Sequence, residues 1–181
     1  MTASRLWVLS PRVEFLVSIS KVFEIGSAEG RDARYLRKAG LEVLCTDVIP
    51  QALDELAHDG FQTSLYDFRD EPKEQWVNSF DGVFAKAVFL HAPQEVLENA
   101  LTKISRILKE CGILCVTFKL GTGEEIETGK LGGARYFKYY TRDELEAIFA
   151  KRSDFEIVDI QETTDPAKWV KTWIQIIARK K

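Results

Sequence analysis

Cysteine is scarce in this sequence, and the three present, Cys45, Cys111 and Cys115, form an odd set without a zinc-type spacing or accompanying histidines. Two of them lie in apolar runs, where a free thiol behaves as a small core residue. The core reading is therefore preferred to disulfide or metal roles, and no metal ligands are expected. Positive charge is also in deficit: 25 Lys and Arg stand against 28 Asp and Glu, a net charge of -3. That balance gives no electrostatic reason for a nucleic-acid partner. The basic end, Arg179-Lys180-Lys181, reads as a solvated tail. No apolar run approaches the roughly eighteen residues needed to span a membrane. Arg5, Pro11, Arg12 and Glu14 interrupt any signal-peptide core, so a cytoplasmic location is the expectation. Linkers of biased composition and internal repeats are absent too, and 181 residues suit a single domain, 1–181, with a substantial core.

One further absence points to chemistry. Val22-Phe-Glu-Ile-Gly-Ser-Ala-Glu-Gly-Arg-Asp32 reads as a strand, a ligand-binding loop and a helix start. A dinucleotide fingerprint has three glycines there, so that bare backbone can approach a pyrophosphate. This loop has Gly26 and Gly30, but Ala28 replaces the central glycine, and Glu24 and Glu29 add negative charge that phosphates would meet. The same acids suit a cationic ligand. S-adenosylmethionine carries both an ammonium and a sulfonium, and a carboxylate bonded to the ammonium makes a charge-assisted contact. Glu29 reads as a complement to the helix dipole. Glu24, inside an apolar strand, reads as a ligand contact, because an unpaired buried carboxylate is costly. Some twenty residues on, Val43-Leu-Cys-Thr46 ends in Asp47, placed to accept hydrogen bonds from ribose hydroxyls.

The remaining chain alternates strand and helix signals. Helices are predicted over Arg12–Ser20, Asp32–Ala39, Gln51–His58, from Pro93 to about Leu108, and over Thr141–Lys151, which opens on the capping box Thr141-Arg-Asp-Glu144. The long helix carries Val96, Leu97, Ala100, Leu101, Ile104 and Leu108 on one face. Beyond the first, strands are predicted over Glu42–Asp47, Phe61–Tyr66, Phe80–Ala85, Ile113–Phe118, Phe155–Ile160 and Trp173–Ala178. The polar segment Gln161–Lys171 is too short for a helical crossover, so the last two strands form an antiparallel hairpin. The expected fold is a Rossmann-like, doubly wound α/β domain, its seven-stranded sheet mostly parallel with one antiparallel strand near the C-terminus.

From Lys21 to Arg179 the sequence resembles the class I S-adenosylmethionine-dependent methyltransferases, in the broad group of small single-domain enzymes. Glu24, Gly26, Gly30, Arg31 and Asp32 match the family's first motif, Asp47 its ribose-binding acid, and Asp67-Phe68 its pair beside adenine. Phe80-Asp-Gly-Val-Phe-Ala-Lys-Ala-Val-Phe-Leu-His-Ala-Pro93 resembles the fourth-strand motif. Leu108-Lys-Glu-Cys-Gly112 stands where the family commonly has Leu-Lys-Pro-Gly-Gly. The resemblance implies S-adenosylmethionine as cofactor, held by Glu24, Gly26, Ser27, Ala28, Gly30, Arg31, Asp32, Asp47, Val48, Asp67, Phe68, Ala85, Lys86 and Ala87.

Departures from the family pattern fall at Glu24 for aspartate, Ser27-Ala28 for a more glycine-rich loop, Glu110-Cys111 for Pro-Gly, and Lys86. A lysine beside a sulfonium is unfavourable unless it points away or pairs with an acid. It is a candidate substrate contact, or a strand-end lysine reaching solvent. Methyl transfer needs mainly a nucleophile held in line with the methyl group. His91 is the candidate general base, with packing at the strand–helix junction as its alternative role. Gly121–Arg135 and Tyr136–Tyr140 read as a long glycine-rich lid, 121–140, in which Arg135, Tyr139 and Tyr140 are candidate acceptor contacts. The aromatic run resembles the Arg-Tyr-Phe-x-Tyr-Tyr-Thr segment of close members of the group. A small-molecule acceptor is expected, and the oligomeric state is not legible. A nicotinamide-dependent oxidoreductase and a non-catalytic cofactor-binding subunit are the rival readings.

Overall fold

The computed structural model describes residues 19–128, 133–165 and 170–181. Its centre is a set of short apolar strands laid side by side: β1 (Lys21–Ile25), β2 (Glu42–Asp47), β3 (Gln62–Leu65), β4 (Phe80–Ala85) and β5 (Leu108–Leu120). They pair in the order β3-β2-β1-β4-β5, all parallel. From β1 the chain therefore winds outward to β2 and β3, then returns to place β4 on the other side of β1. This reversal leaves a crevice at the carboxyl ends of β1 and β4, where ligands bind in open α/β sheets.

Helices cover both faces. α1 (Arg31–Lys38) and α2 (Pro50–His58) follow β1 and β2, while α3 (Gln94–Ile107) and α4 (Arg142–Ala150) follow β4 and the later strands. Alternation along β1 decides what each face receives. Val22 packs with Ala33, Leu36, Cys45, Leu56 and Phe84. Phe23 and Ile25 join the larger core with Leu97, Leu101, Ile104, Leu145 and Phe149. The Phe23 ring meets Tyr66, Trp76 and Phe80 edge-on at centroid distances of 5.6, 5.0 and 5.1 Å. By the same alternation Glu24 points to the α1 and α2 side. α4 opens with the capping box read from the sequence, as Thr141 accepts from the Glu144 amide and Glu144 accepts from the Thr141 amide.

Among the described residues the sheet has nine strands rather than seven. β8 (Phe155–Asp165) and β9 (Val170–Lys180) form the expected antiparallel hairpin, with β9 against β5. Both run longer than predicted, because the backbone ladder continues through the polar stretch after Ile160. The basic end is not a free tail: Arg179 pairs with Glu156, and Lys180 Nζ donates to the Leu108 carbonyl at 3.0 Å and pairs with Glu110. The two additional strands, β6 (Glu124–Thr128) and β7 (Ala134–Tyr140), form a hairpin where a lid loop was expected. β7 runs parallel to β5 through two positions, Lys119↔Tyr139 and Leu120↔Tyr140. Lys119 already pairs with Trp173 of β9 on one edge. β7 therefore occupies the other edge, beyond the end of β4, and the hairpin rises over the carboxyl end of the sheet. The helix predicted over Arg12–Ser20 lies outside the described residues except for Ile19 and Ser20, which are not helical.

Cys111 has φ +62°, a left-handed conformation at a position where the resembling family commonly has glycine. Left-handed backbone costs a side-chain-bearing residue about 1–2 kcal/mol. Glycine returns about 0.4–1 kcal/mol of that as unfolded-state entropy. Cys111→Gly is thus expected to stabilise the fold by about 0.5–1 kcal/mol, raising Tm by about 1–4 °C. Thermal melting under reducing conditions reads this, and an unchanged or lowered Tm rules it out.

Candidate active site

The loop after β1 is tied to β2 by its backbone. The Gly26 and Ser27 amides both donate to the Thr46 carbonyl, at 2.8 and 2.9 Å, and Thr46 Oγ1 donates to the Glu24 carbonyl at 2.7 Å. Gly26 has φ +72°, and a Cβ there would lie 2.7 Å from Val88 Cγ2. The loop thus passes directly against the segment leaving β4. Ala28, at the site of the missing central glycine, itself takes φ +45°. Its amide donates to Asp47 Oδ2 at 2.8 Å, while Asp47 Oδ1 accepts from the Ile49 amide at 3.0 Å. Asp47 is therefore fixed between two loops with lone pairs still available. Beyond it, Val48 and Ile49 are 55% and 53% exposed, and Leu65 at the end of β3 is 58% exposed. Apolar surface accordingly flanks the carboxylate.

Glu24 is the least ordinary residue of the site. It is 2% exposed, yet its Oε2 has no hydrogen-bond partner, and neither does the buried Ser27 Oγ beside it. Burial pushes the Glu24 carboxyl up to about 7, with Asp32 and Asp47 contributing like charge. Among the described residues no side chain supplies that partner, so the group is held ready for one from outside them. Lys86, immediately after β4, pairs with Asp32 at 3.0 Å, each a quarter exposed, and Asp32 also takes Arg31 at 3.3 Å. The electrostatic conflict read at Lys86 is thereby met by an acid from α1. Ala85 is wholly buried, and the Ala87 amide donates to Thr117 Oγ1 at 2.9 Å, anchoring the turn out of β4 to β5.

Asp67 is engaged locally. Arg69 Nε reaches both of its oxygens at 2.9 Å, and the guanidinium holds the carboxyl below the usual range. Phe68 packs edge-on against Phe89 with centroids 5.2 Å apart. His91 ends the single turn Phe89–His91 and is exposed. Its Nδ1 lies 3.0 Å from the Tyr136 carbonyl and its ring 4.8 Å from Phe137. A carbonyl only accepts, so Nδ1 carries the proton and Nε2 of the neutral ring keeps a free lone pair. His91 thus joins the hairpin to the segment after β4 while leaving one nitrogen competent as a base.

The three hairpin candidates separate. Arg135 is exposed, Tyr139 is half-buried and donates to Glu125, and Tyr140 is wholly buried against Phe118 at 5.3 Å, with its hydroxyl unpartnered. The structure brings Glu24, Ser27, Asp32, Asp47 and Lys86 together at the crevice, with Phe68, Phe89 and His91 on the hairpin side. Sequence reading missed Thr46, Val88 and Thr117, which hold the loops in place. Only Thr117, a hydroxyl inside a continuously apolar strand, carried a signal.

With this geometry in view, the family model described as a methyltransferase domain matches residues 23–116, from β1 into β5 and just over half of the chain. The chain belongs to the methyltransferase-domain family. It is an S-adenosylmethionine-dependent methyltransferase by class, and S-adenosylmethionine is its cofactor. No match was found among the curated proteins. Solved structures resemble this methyltransferase at low identity. The 1,6-didemethyltoxoflavin-N1-methyltransferase of Burkholderia thailandensis, with 1,6-didemethyltoxoflavin and S-adenosylhomocysteine bound, is 21% identical. It covers 90% of this chain and 71% of its own, with a TM-score of 0.72. A Methanosarcina mazei S-adenosylmethionine-dependent methyltransferase is 16% identical over 95% and 98% of the two chains, with a TM-score of 0.77. A Rhodobacter sphaeroides structure assigned provisionally to the zinc-dependent alcohol dehydrogenases is 14% identical over 92% and 88%, with a TM-score of 0.75. Likeness at this level describes the fold; the methyltransferase assignment rests on the family match.

Proposed function

We propose that this methyltransferase is catalytically active and methylates a small organic acceptor between its β6–β7 hairpin and the carboxyl ends of β4 and β5. The carrying observation is the buried, unpartnered Glu24 carboxyl beside the unpartnered Ser27 hydroxyl, opposite the fixed Asp47. These acids fit the ammonium and ribose ends of S-adenosylmethionine, and Val48, Ile49 and Leu65 offer apolar surface to its base. When bound, S-adenosylmethionine supplies an electrophilic methyl group on a sulfonium.

The chain's own residues then orient the acceptor and manage its proton. Phe68 and Phe137, both partly exposed, offer aromatic faces, and His91 Nε2 offers a base whose ring is oriented by the Tyr136 carbonyl. Placing a nucleophile at attack distance can lower the barrier by about 7–11 kcal/mol, so no protein nucleophile is required. A small heteroaromatic acceptor fits these walls, and the Burkholderia enzyme named above holds 1,6-didemethyltoxoflavin. Calorimetric titration with S-adenosylmethionine, S-adenosylhomocysteine and NADH is expected to give micromolar binding of the two adenosyl ligands and none of NADH. Methyl transfer should then appear in a panel of heteroaromatic nitrogen, oxygen and sulfur nucleophiles, with kcat reduced in His91→Ala. Adenosyl binding without turnover across such a panel favours a regulatory subunit instead, and tighter binding of NADH revives an oxidoreductase.

A further inference from the structure

Glu24 has a second property, which concerns the loading of the site and rests on the cofactor reading above. Its carboxyl is 2% exposed, and among the described residues neither Oε2 nor the buried Ser27 Oγ has a hydrogen-bond partner. The described elements around it supply no charge that balances a carboxylate. From β2 comes Cys45, its register neighbour, whose thiol burial pushes up to about 12 and which therefore stays neutral. Asp47, also from β2, is negative and already accepts two amides. From α1 comes Asp32, a like charge that is itself answered by Lys86 and Arg31. From β4 comes Phe84, which is apolar. Lys86, which follows β4, is spent on Asp32.

We infer that Glu24 is protonated in the unliganded protein and releases that proton to solvent when the ammonium of the cofactor binds. The carboxylic acid becomes a carboxylate, the ligand ammonium keeps its three hydrogens, and one proton passes to the buffer. Binding exchanges an uncompensated buried charge for an ion pair, so the carboxyl that is held near 7 without ligand ionises at a lower pH in the complex. Below neutrality ligand binding competes with the proton on Glu24, and affinity rises with pH until Glu24 is ionised in the free protein as well.

The test is calorimetric titration of the full chain with S-adenosylhomocysteine, which carries the same ammonium and does not turn over. At each pH, two buffers of different ionisation enthalpy give the number of protons released. About three quarters of a proton per ligand is expected at pH 6.5 and about a quarter at pH 7.5, from a group titrating near 7. The ligand's own amine contributes equally in Glu24→Gln, so the difference between wild type and variant isolates Glu24. Glu24→Gln removes a buried ionisable group and is expected to fold. Equal proton counts in wild type and variant overturn the inference. Should the variant bind too weakly to titrate, the wild-type affinity decides: about 20-fold tightening from pH 5.5 to 7.5 supports the inference, and a flat profile overturns it. Absence of binding by the wild type at every pH refutes the cofactor assignment at this site instead, an outcome distinct from binding without proton release.

Discussion

Asp47→Ala is expected to weaken binding of S-adenosylhomocysteine at least 100-fold while leaving the chain folded. The carboxylate has two tasks in the structure. Oδ2 takes the amide of Ala28, a residue held at φ +45°, and Oδ1 takes the amide of Ile49. Removing the carboxylate leaves the loop after β1 attached to β2 only through the Thr46 carbonyl, and a left-handed alanine without its anchor relaxes. The variant therefore loses the arrangement of Ser27 and Ala28 together with the acceptor proposed for the ribose hydroxyls. Hydrogen bonds to a charged group contribute about 1.5–3 kcal/mol each. Losing two from the complex is worth about 3–6 kcal/mol, beyond the roughly 2.7 kcal/mol that corresponds to 100-fold. The core below the loop contains none of these atoms, so circular dichroism should show an unchanged fold. Asp47→Asn keeps one acceptor oxygen and turns an amide donor toward a backbone donor, so its loss should fall between wild type and alanine. A Kd within threefold of wild type for Asp47→Ala would mean that the ligand does not use this strand end.

The second large effect is on stability. Gly30 precedes α1 at φ +72°, and an added Cβ would overlap Leu56 Cδ2, the side chain of a wholly buried residue of α2. Gly30→Ala thus incurs about 1–2 kcal/mol for left-handed backbone and about 1–3 kcal/mol for overpacking a filled site. The expected loss of about 2–5 kcal/mol corresponds to a fall in Tm of about 4–20 °C for a chain of this size. Gly40 is the internal control. It also has positive φ, +92°, but a Cβ there meets nothing within 4 Å. Gly40→Ala should therefore show the backbone component alone, and the difference between the two variants measures the contact between loop and α2. Equal melting temperatures for the two variants would mean that α2 yields without cost.

Legibility in the sequence followed burial. β1, β2 and β4 bury nearly every residue and read as continuous apolar runs, so their bounds were evident from composition, as was the capping box at Thr141. The β6–β7 hairpin was not evident, because every residue of Glu124–Thr128 is exposed. A strand without a buried face leaves no alternation in the sequence, and its glycine-rich surroundings read as a loop. The candidate site divides in the same way. Glu24 announced itself because a charge inside an apolar run is costly. That Asp32 answers Lys86 depends on two elements 54 positions apart meeting at one strand end, which no local spacing encodes.

The free edges of the sheet have a consequence for association between copies. β3 is only four residues long. β8 shifts register between Ile157 and Asp159 and again between Thr163 and Thr164. β6 carries Glu124, Glu125 and Glu127 among its five exposed residues. A short strand, an irregular ladder and a row of like charges each deny a second chain the flat, neutral template that intermolecular strand addition requires. Copies of this protein are thus kept from growing end to end through their backbones, even though the hairpin over the active site stands open on one side.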